Sequence, residues 1–83
     1  MITNNIKKSI KLSNIITNID IDLIEWNDYS IHFNFNINNL DVKGVYKLDK
    51  FIRYSVNNGI LSEDILKELQ KELKIIYLDN FNL

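Results

Sequence analysis

His32 is the first residue to consider for chemistry, because histidine is the side chain best suited to acid–base catalysis near neutral pH. A catalytic histidine needs a nucleophile at one ring nitrogen and an orienting carboxylate at the other. The sequence around it predicts a strand in which His32 shares one face with Ser30 and Asn34. In the predicted register, neither an activated nucleophile nor an orienting carboxylate is adjacent to the His32 ring. We therefore interpret His32 as a surface residue rather than a catalytic one.

Asp20 and Asp22 are the next candidates, since alternate positions of a strand place two carboxylates on one face, roughly 6.8 Å apart. Both are expected to be solvated and ionised, which leaves neither able to act as an acid. Gly44 and Gly59 are the only glycines, so the chain has no glycine-rich phosphate loop. It also lacks cysteine, and no histidine pair or acidic loop has metal-ligand spacing. The sequence predicts no enzyme, no cofactor and no metal site.

Length and composition predict one compact domain over residues 1–83. The chain has a formal net charge of −1 and is 46% hydrophobic, enough for a modest core. The N-terminus lacks the continuous apolar stretch of a signal peptide, and the longest apolar run is far below the roughly 20 residues of a membrane helix. We expect a protein of the bacterial cytoplasm that does not enter a membrane.

The strongest structural signal is a hairpin over residues 29–48. Apolar residues alternate with polar ones on both sides of Asn38-Asn39, a pair that tolerates the positive φ of a tight corner. A two-residue corner pairs Ile37 with Leu40 and places Phe33 opposite Gly44. The hairpin therefore has one apolar face to be covered and one polar face.

The other segments are predicted to supply that cover. Residues 4–14 are assigned to a helix started by Thr3 or Asn4, with a β-rich start as the alternative because Ile10 and Leu12 alternate around Lys11. Residues 19–26 alternate as a strand. A short helix is predicted to start at Asp49 and end at Asn58-Gly59, and a second to start at Ser62 and run to Tyr77. The predicted fold class is α+β, with an N-terminal helix, a three-stranded antiparallel meander and two C-terminal helices on one sheet face.

Charge is segregated along the chain. Residues 1–18 contain lysines without acids, residues 19–41 contain acids without Lys or Arg, and residues 42–56 are mainly basic. The blocks could simply face each other across the sheet. Alternatively, acids repeating along a strand could imitate nucleic-acid phosphates and block a basic channel. The acids available for this are Asp20, Asp22, Glu25, Asp28 and Asp41.

The order of predicted elements resembles that of small phage-encoded anti-CRISPR proteins that inhibit the nuclease Cas9. The local likeness lies in Asp49-Lys50-Phe51-Ile52, in Asn57-Asn58-Gly59, and in the Asn38-Asn39 corner followed by Asp41. The resemblance implies protein–protein inhibition, in which acidic and amide side chains occupy the basic site where the nuclease reads duplex DNA. By position, the residues that would carry it are Asn38, Asn39, Asp41, Glu63 and Asp64.

The resulting hypothesis is a small non-enzymatic phage or mobile-element protein, monomeric or homodimeric. It would bind and inhibit a host protein of a CRISPR or other nucleic-acid-processing complex. One alternative is a DNA- or RNA-binding regulator, which the sequence pI of about 5.7 disfavours. Another is an oligomeric partner that buries Tyr77, Leu78 and Phe81. The predicted partner-binding residues are Asp20, Asp22, Asp28, Asn38, Asn39, Asp41, Glu63 and Asp64. In the nucleic-acid-binding alternative, the contacts would be made by Lys7, Lys8, Lys11, Lys43 and Lys47.

Overall fold

A computed structural model describes residues 4–25, 29–48 and 50–81. These residues form a five-stranded antiparallel sheet in which each strand pairs with the next in the chain, followed by one helix. The elements are β1 (Asn4–Leu12), β2 (Ile15–Ile24), β3 (Ser30–Ile37), β4 (Leu40–Lys47), β5 (Lys50–Asn57) and α1 (Glu63–Phe81). The predicted arrangement of an N-terminal helix, three strands and two C-terminal helices is therefore wrong.

The predicted helix over residues 4–14 is strand β1, as the β-rich alternative proposed. β1 pairs with β2 from Asn4 opposite Leu23 to Leu12 opposite Ile15. The connecting corner, Ser13-Asn14, has positive φ at both residues, 51° and 66°, as a tight two-residue hairpin turn requires. Ile10 and Leu12 are buried and Lys11 is exposed, so the alternation across these residues was the correct signal.

The predicted helix from Asp49 to Gly59 is strand β5, which forms the sheet edge beside β4. Asp49 itself lies outside the described residues. The register shifts at Val45 and Tyr46, which pair with Arg53 and Phe51 and leave Ile52 as the extra residue of a bulge. The segment is rich in aromatic and β-branched residues, which favour a strand over a helix.

The central hairpin is confirmed, with β3 and β4 in the predicted register from Ile31 opposite Tyr46 to Ile37 opposite Leu40. The predicted strand at residues 19–26 belongs to β2, which starts earlier, at Ile15. The predicted helix after Ser62 is also confirmed as α1. The Ser62 hydroxyl oxygen accepts a 3.3 Å hydrogen bond from the Ile65 N–H, as an N-cap does.

The core lies between α1 and one face of the sheet. Leu69, Leu73 and Ile76 of α1 are buried against strand residues such as Ile21 and Ile31. Directly after Ile76, the Tyr77 hydroxyl donates a 2.8 Å hydrogen bond to the Tyr29 carbonyl oxygen. Burying each such apolar side chain contributes about 1.5–3 kcal/mol, so this face accounts for most of the hydrophobic stabilisation. Within the described residues, no helix combines the length and apolar character of a membrane span.

Candidate binding surface on the open sheet face

The sheet face opposite α1 is called here the open face. Side chains alternate across a strand, so most polar positions of the five strands point to this side. It carries Asn5, Lys7, Ser9 and Lys11 of β1, Ile16, Asn18, Asp20 and Asp22 of β2, His32, Asn34 and Asn36 of β3, Asp41, Lys43, Val45 and Lys47 of β4, and Arg53, Ser55 and Asn57 of β5.

The half of the open face formed by β1 and β2 is internally neutralised. The Asn5 side-chain amide donates hydrogen bonds to Asp20 Oδ1 at 2.8 Å and to Asp22 Oδ1 at 2.6 Å. The Lys7 ammonium lies 3.8 Å from Asp20 Oδ1, with both side chains largely exposed to solvent. Such an exposed ion pair contributes at most about 1 kcal/mol. The basic and acidic blocks therefore face each other here, and both carboxylates already have partners within the chain.

The half formed by β3, β4 and β5 has a different character. Two cross-strand rows lie on either side of Gly44: Asn34, Lys43 and Ser55 form one row, and His32, Val45 and Arg53 form the other. These six residues are called the basic grid. Lys43 and Arg53 are exposed, and neither side chain has a hydrogen bond or ion pair to any residue that the structure describes.

A shallow cavity of about 330 Å³ opens over the basic grid. Its floor is the strand backbone at Phe33, Gly44 and Tyr54, and the side chains of Phe33 and Tyr54 lie on the α1 side of the sheet. Its walls are the six grid side chains, with Asp22 at the β2 edge. The volume lies at the small end of the range for small-molecule sites, roughly 300–1,000 Å³.

The predicted residues Asn38, Asn39 and Asp41 lie at the β3–β4 corner and the start of β4, beside the end of β5. Asn38 and Asn39 form the corner with φ values of 50° and 67°. The Asn58 side-chain amide donates a 3.5 Å hydrogen bond to the Asn39 carbonyl oxygen, and Asp41 lies opposite Asn57. The hairpin therefore holds Asn38, Asn39 and Asp41 together at one end of the sheet.

Glu63 and Asp64 form the first turn of α1, where the helix dipole favours carboxylates. The side chains of Asp41, Glu63 and Asp64 make no hydrogen bond or ion pair within the described part of the chain. They thus differ from Asp20 and Asp22. Asp28, the remaining predicted partner-binding residue, lies outside the described residues.

Metal binding and acid–base catalysis each require particular groups to lie close together. Across residues 4–25, 29–48 and 50–81, no group of three or more His, Cys, Asp or Glu side chains is arranged to hold a metal ion. The His32 ring has no hydrogen-bonded nucleophile or carboxylate among those residues, although Asp22 lies opposite it in the register.

Sequence reasoning missed Arg53 and Ser55, because the segment around them was assigned to a helix. One pattern could have indicated the strand: Arg53 and Ser55 are two residues apart, the spacing of residues on one face of a strand.

Charge is divided between the two layers. The strands carry seven cations and three carboxylates, a net charge of +4, whereas α1 carries five acids and three lysines, a net charge of −2. The overall net charge of −1 therefore conceals a basic sheet.

Comparisons with protein-family models, with curated proteins and with solved structures gave no match to this chain. The resemblance to anti-CRISPR proteins rested on a few local residues and on an order of helix, three strands and two helices; that order differs from the one in the structure.

Proposed function

We propose that this chain is a non-enzymatic inhibitor that binds a protein of a bacterial nucleic-acid-processing complex. The residues proposed to make the contact are called the acid–amide set: Asn38, Asn39 and Asp41 at the β3–β4 corner, and Glu63 and Asp64 in the first turn of α1. The observation that supports it best is that the three carboxylates of this set are exposed or half-buried without a partner in the described chain. Carboxylates without internal partners are available to a basic protein, since no internal contact has to be broken first.

The local structure favours such a contact. A two-residue hairpin corner with both residues in the left-handed region is a rigid support for its side chains. Side chains that are ordered before binding lose less conformational entropy in the complex. Acidic groups also accelerate encounter with a basic partner, an effect that weakens as salt concentration rises.

The test compares capture by the wild-type chain with capture by a neutralised variant. Asp41→Asn, Glu63→Gln and Asp64→Asn are combined, and the immobilised proteins are exposed to a purified DNA-targeting nuclease complex and to a bacterial lysate. We expect the wild-type chain to bind a basic protein, to release it as salt rises, and to reduce its cleavage of DNA. The neutralised variant should lose most of this binding while its circular dichroism spectrum stays unchanged.

Asp79→Asn is the matched control, because Asp79 is an exposed acid at the far end of α1. It should bind like the wild-type chain. Equal capture by the neutralised variant, or capture that does not depend on salt, would show that the acid–amide set is not the contact surface. Charge reversal at Asp20 and Asp22 is a poorer test, because it also removes the hydrogen bonds from Asn5.

The oligomer alternative loses its proposed contact surface. Tyr77 and Phe81 are buried in the core, and only Leu78, half-exposed, remains at the surface of the three residues named for it. The nucleic-acid alternative gains support from the basic grid, where Lys43 and Arg53 have no partner in the described chain.

A further inference from the structure

We infer that the basic grid is a phosphate-binding site that takes the backbone phosphates of a nucleic acid. This site is separate from the acid–amide set, and its argument does not depend on the proposed inhibitor function. It rests on the register of β3, β4 and β5 and on the cavity that this register creates.

Two cations converge on the cavity from neighbouring strands. Lys43 lies opposite Ser55, and Arg53 is two residues before Ser55 on the same strand. This diagonal relation places their Cα atoms roughly 7–8 Å apart, so both long side chains can reach one anion between them. Both are exposed and without a partner in the described chain, so an anion would not have to displace an internal carboxylate.

Further hydrogen-bond donors complete the site. The Asn34 amide, the Ser55 hydroxyl and the His32 ring lie in the same two rows and line the same cavity. Arginine, lysine, serine and asparagine are the side chains that most often contact phosphate oxygens in nucleic-acid complexes. The set therefore matches phosphate recognition in both charge and donor type.

The one acid that lines the cavity lies away from the two cations. Asp22 is on β2, two strands from Lys43, which is roughly 9.6 Å at the usual strand spacing. Its Oδ1 accepts a hydrogen bond from Asn5, on the β1 side. The anion is therefore expected over β4 and β5, on the side of the cavity away from Asp22.

A nucleic acid fits this surface better than an acidic protein segment does. The apolar side chains of an acidic protein segment would find little surface to pack against here, since Val45, the one apolar side chain of the grid, is 8% exposed. Backbone phosphates need no apolar anchor. Because the grid's one ring is the small His32 imidazole and its two cations contact phosphates, binding should depend little on sequence.

The experiment measures fluorescence anisotropy of labelled single- and double-stranded DNA of mixed sequence with the full chain, at salt concentrations from about 50 to 200 mM. We expect the affinity to fall as salt rises. Lys43→Gln combined with Arg53→Gln should weaken binding at low salt about tenfold or more. It should also reduce the salt slope by about 0.9 for each lost phosphate contact on duplex DNA.

Lys71→Gln combined with Lys74→Gln is the matched control, because both lysines are exposed on α1, on the other side of the molecule. This variant loses the same net charge and should keep its affinity within about twofold. Lys43→Arg with Arg53→Lys retains both charges and should restore most of the binding. Circular dichroism establishes that each variant is folded.

Three further ligands distinguish the sources of the anion. Inorganic phosphate and a nucleoside monophosphate should compete only weakly, and polyglutamate should bind more weakly than DNA. The inference is overturned if DNA does not bind, if the α1 control loses as much affinity as the grid variant, or if inorganic phosphate or polyglutamate binds as tightly as DNA. Capture of a protein through the acid–amide set should be unaffected by the grid variant, so the two proposals fail independently.

Discussion

Gly44→Ala should destabilise the fold, because the glycine lies where three atoms approach it closely. A methyl group at Gly44 would lie 2.6 Å from the Arg53 carbonyl oxygen, 2.7 Å from Phe33 Cζ and 2.8 Å from Tyr54 Cβ. These separations are well below a normal contact of about 3.5 Å or more. The Arg53 oxygen and the Tyr54 Cβ are fixed to the β5 backbone. The Phe33 ring is 3% exposed, with the Phe51 ring centroid 5.9 Å from its own. None of the three can move without disturbing the sheet.

Overpacking of this kind costs about 1–3 kcal/mol. Alanine offsets about 0.5–1 kcal/mol of this destabilisation, because it loses less backbone entropy on folding than glycine does. Taking the middle of each range, we expect the free energy of unfolding to fall by about 1 kcal/mol. For a domain of 83 residues this lowers the melting temperature by roughly 4–8 °C.

Thermal unfolding followed by circular dichroism measures the effect. Ser55→Ala is the control, since Ser55 is exposed on the neighbouring strand, and its melting temperature should change by only about 1–4 °C. Gly44→Ala should also weaken DNA binding, because moving β5 relative to β4 separates Arg53 from Lys43. A variant that melts at or above the wild-type temperature would refute the close packing of Phe33 and Tyr54 against Gly44.

Two further substitutions test single contacts. Leu48 is 54% exposed and has a φ of 63°, a conformation that asparagine adopts with less strain than leucine. Leu48→Asn should therefore raise the free energy of unfolding, measured in urea, by about 0.5–1 kcal/mol. An unchanged or lower value would contradict strain at this position. Tyr77→Phe removes the buried hydroxyl that donates to the Tyr29 carbonyl oxygen and should lower the free energy of unfolding by about 1–2 kcal/mol. Tyr29→Phe keeps that backbone acceptor and should have a smaller effect. Equal losses in the two tyrosine variants would argue against this hydrogen bond.

The β3–β4 hairpin could be predicted from the sequence almost residue by residue. A two-residue corner fixes the register, and a shift of one residue would move Phe33 and Phe35 from the core to solvent. The position of α1 could also be predicted, because Ser62 marks its start and the apolar residues that follow have helical spacing. In both elements, local signals and core packing favour the same structure.

β1 was ambiguous for a geometric reason. Ile6 and Ile10 are four residues apart, a spacing that places two side chains on one face of a helix and equally on one face of a strand, since four is even. Only the shorter alternation of Ile10, Lys11 and Leu12 distinguishes the two structures. The Ser13-Asn14 corner confirms the strand once its positive φ values are known.

The bulge in β5 interrupts the alternation that would have indicated a strand in the sequence. The extra residue Ile52 allows Phe51 and Tyr54 to lie on the same side of the sheet, with their ring centroids 5.6 Å apart. A spacing of three between two aromatic residues is typical of a helix face. Because Arg53 was assigned to that helix, it could not be recognised as a neighbour of Lys43, and the basic grid was missed.

The correction at β5 changes what the molecule can bind. Three strands would form a sheet roughly 10 Å wide between its outer strands, whereas five strands span roughly 19 Å at the usual spacing. The described chain has one helix of 19 residues, about 28 Å long, and it covers only one face of this sheet. The opposite face therefore keeps its polar side chains in solvent, over an area wide enough for a macromolecular partner. Since β5 supplies Arg53 and Ser55, the segment that was hardest to predict also completes the basic grid.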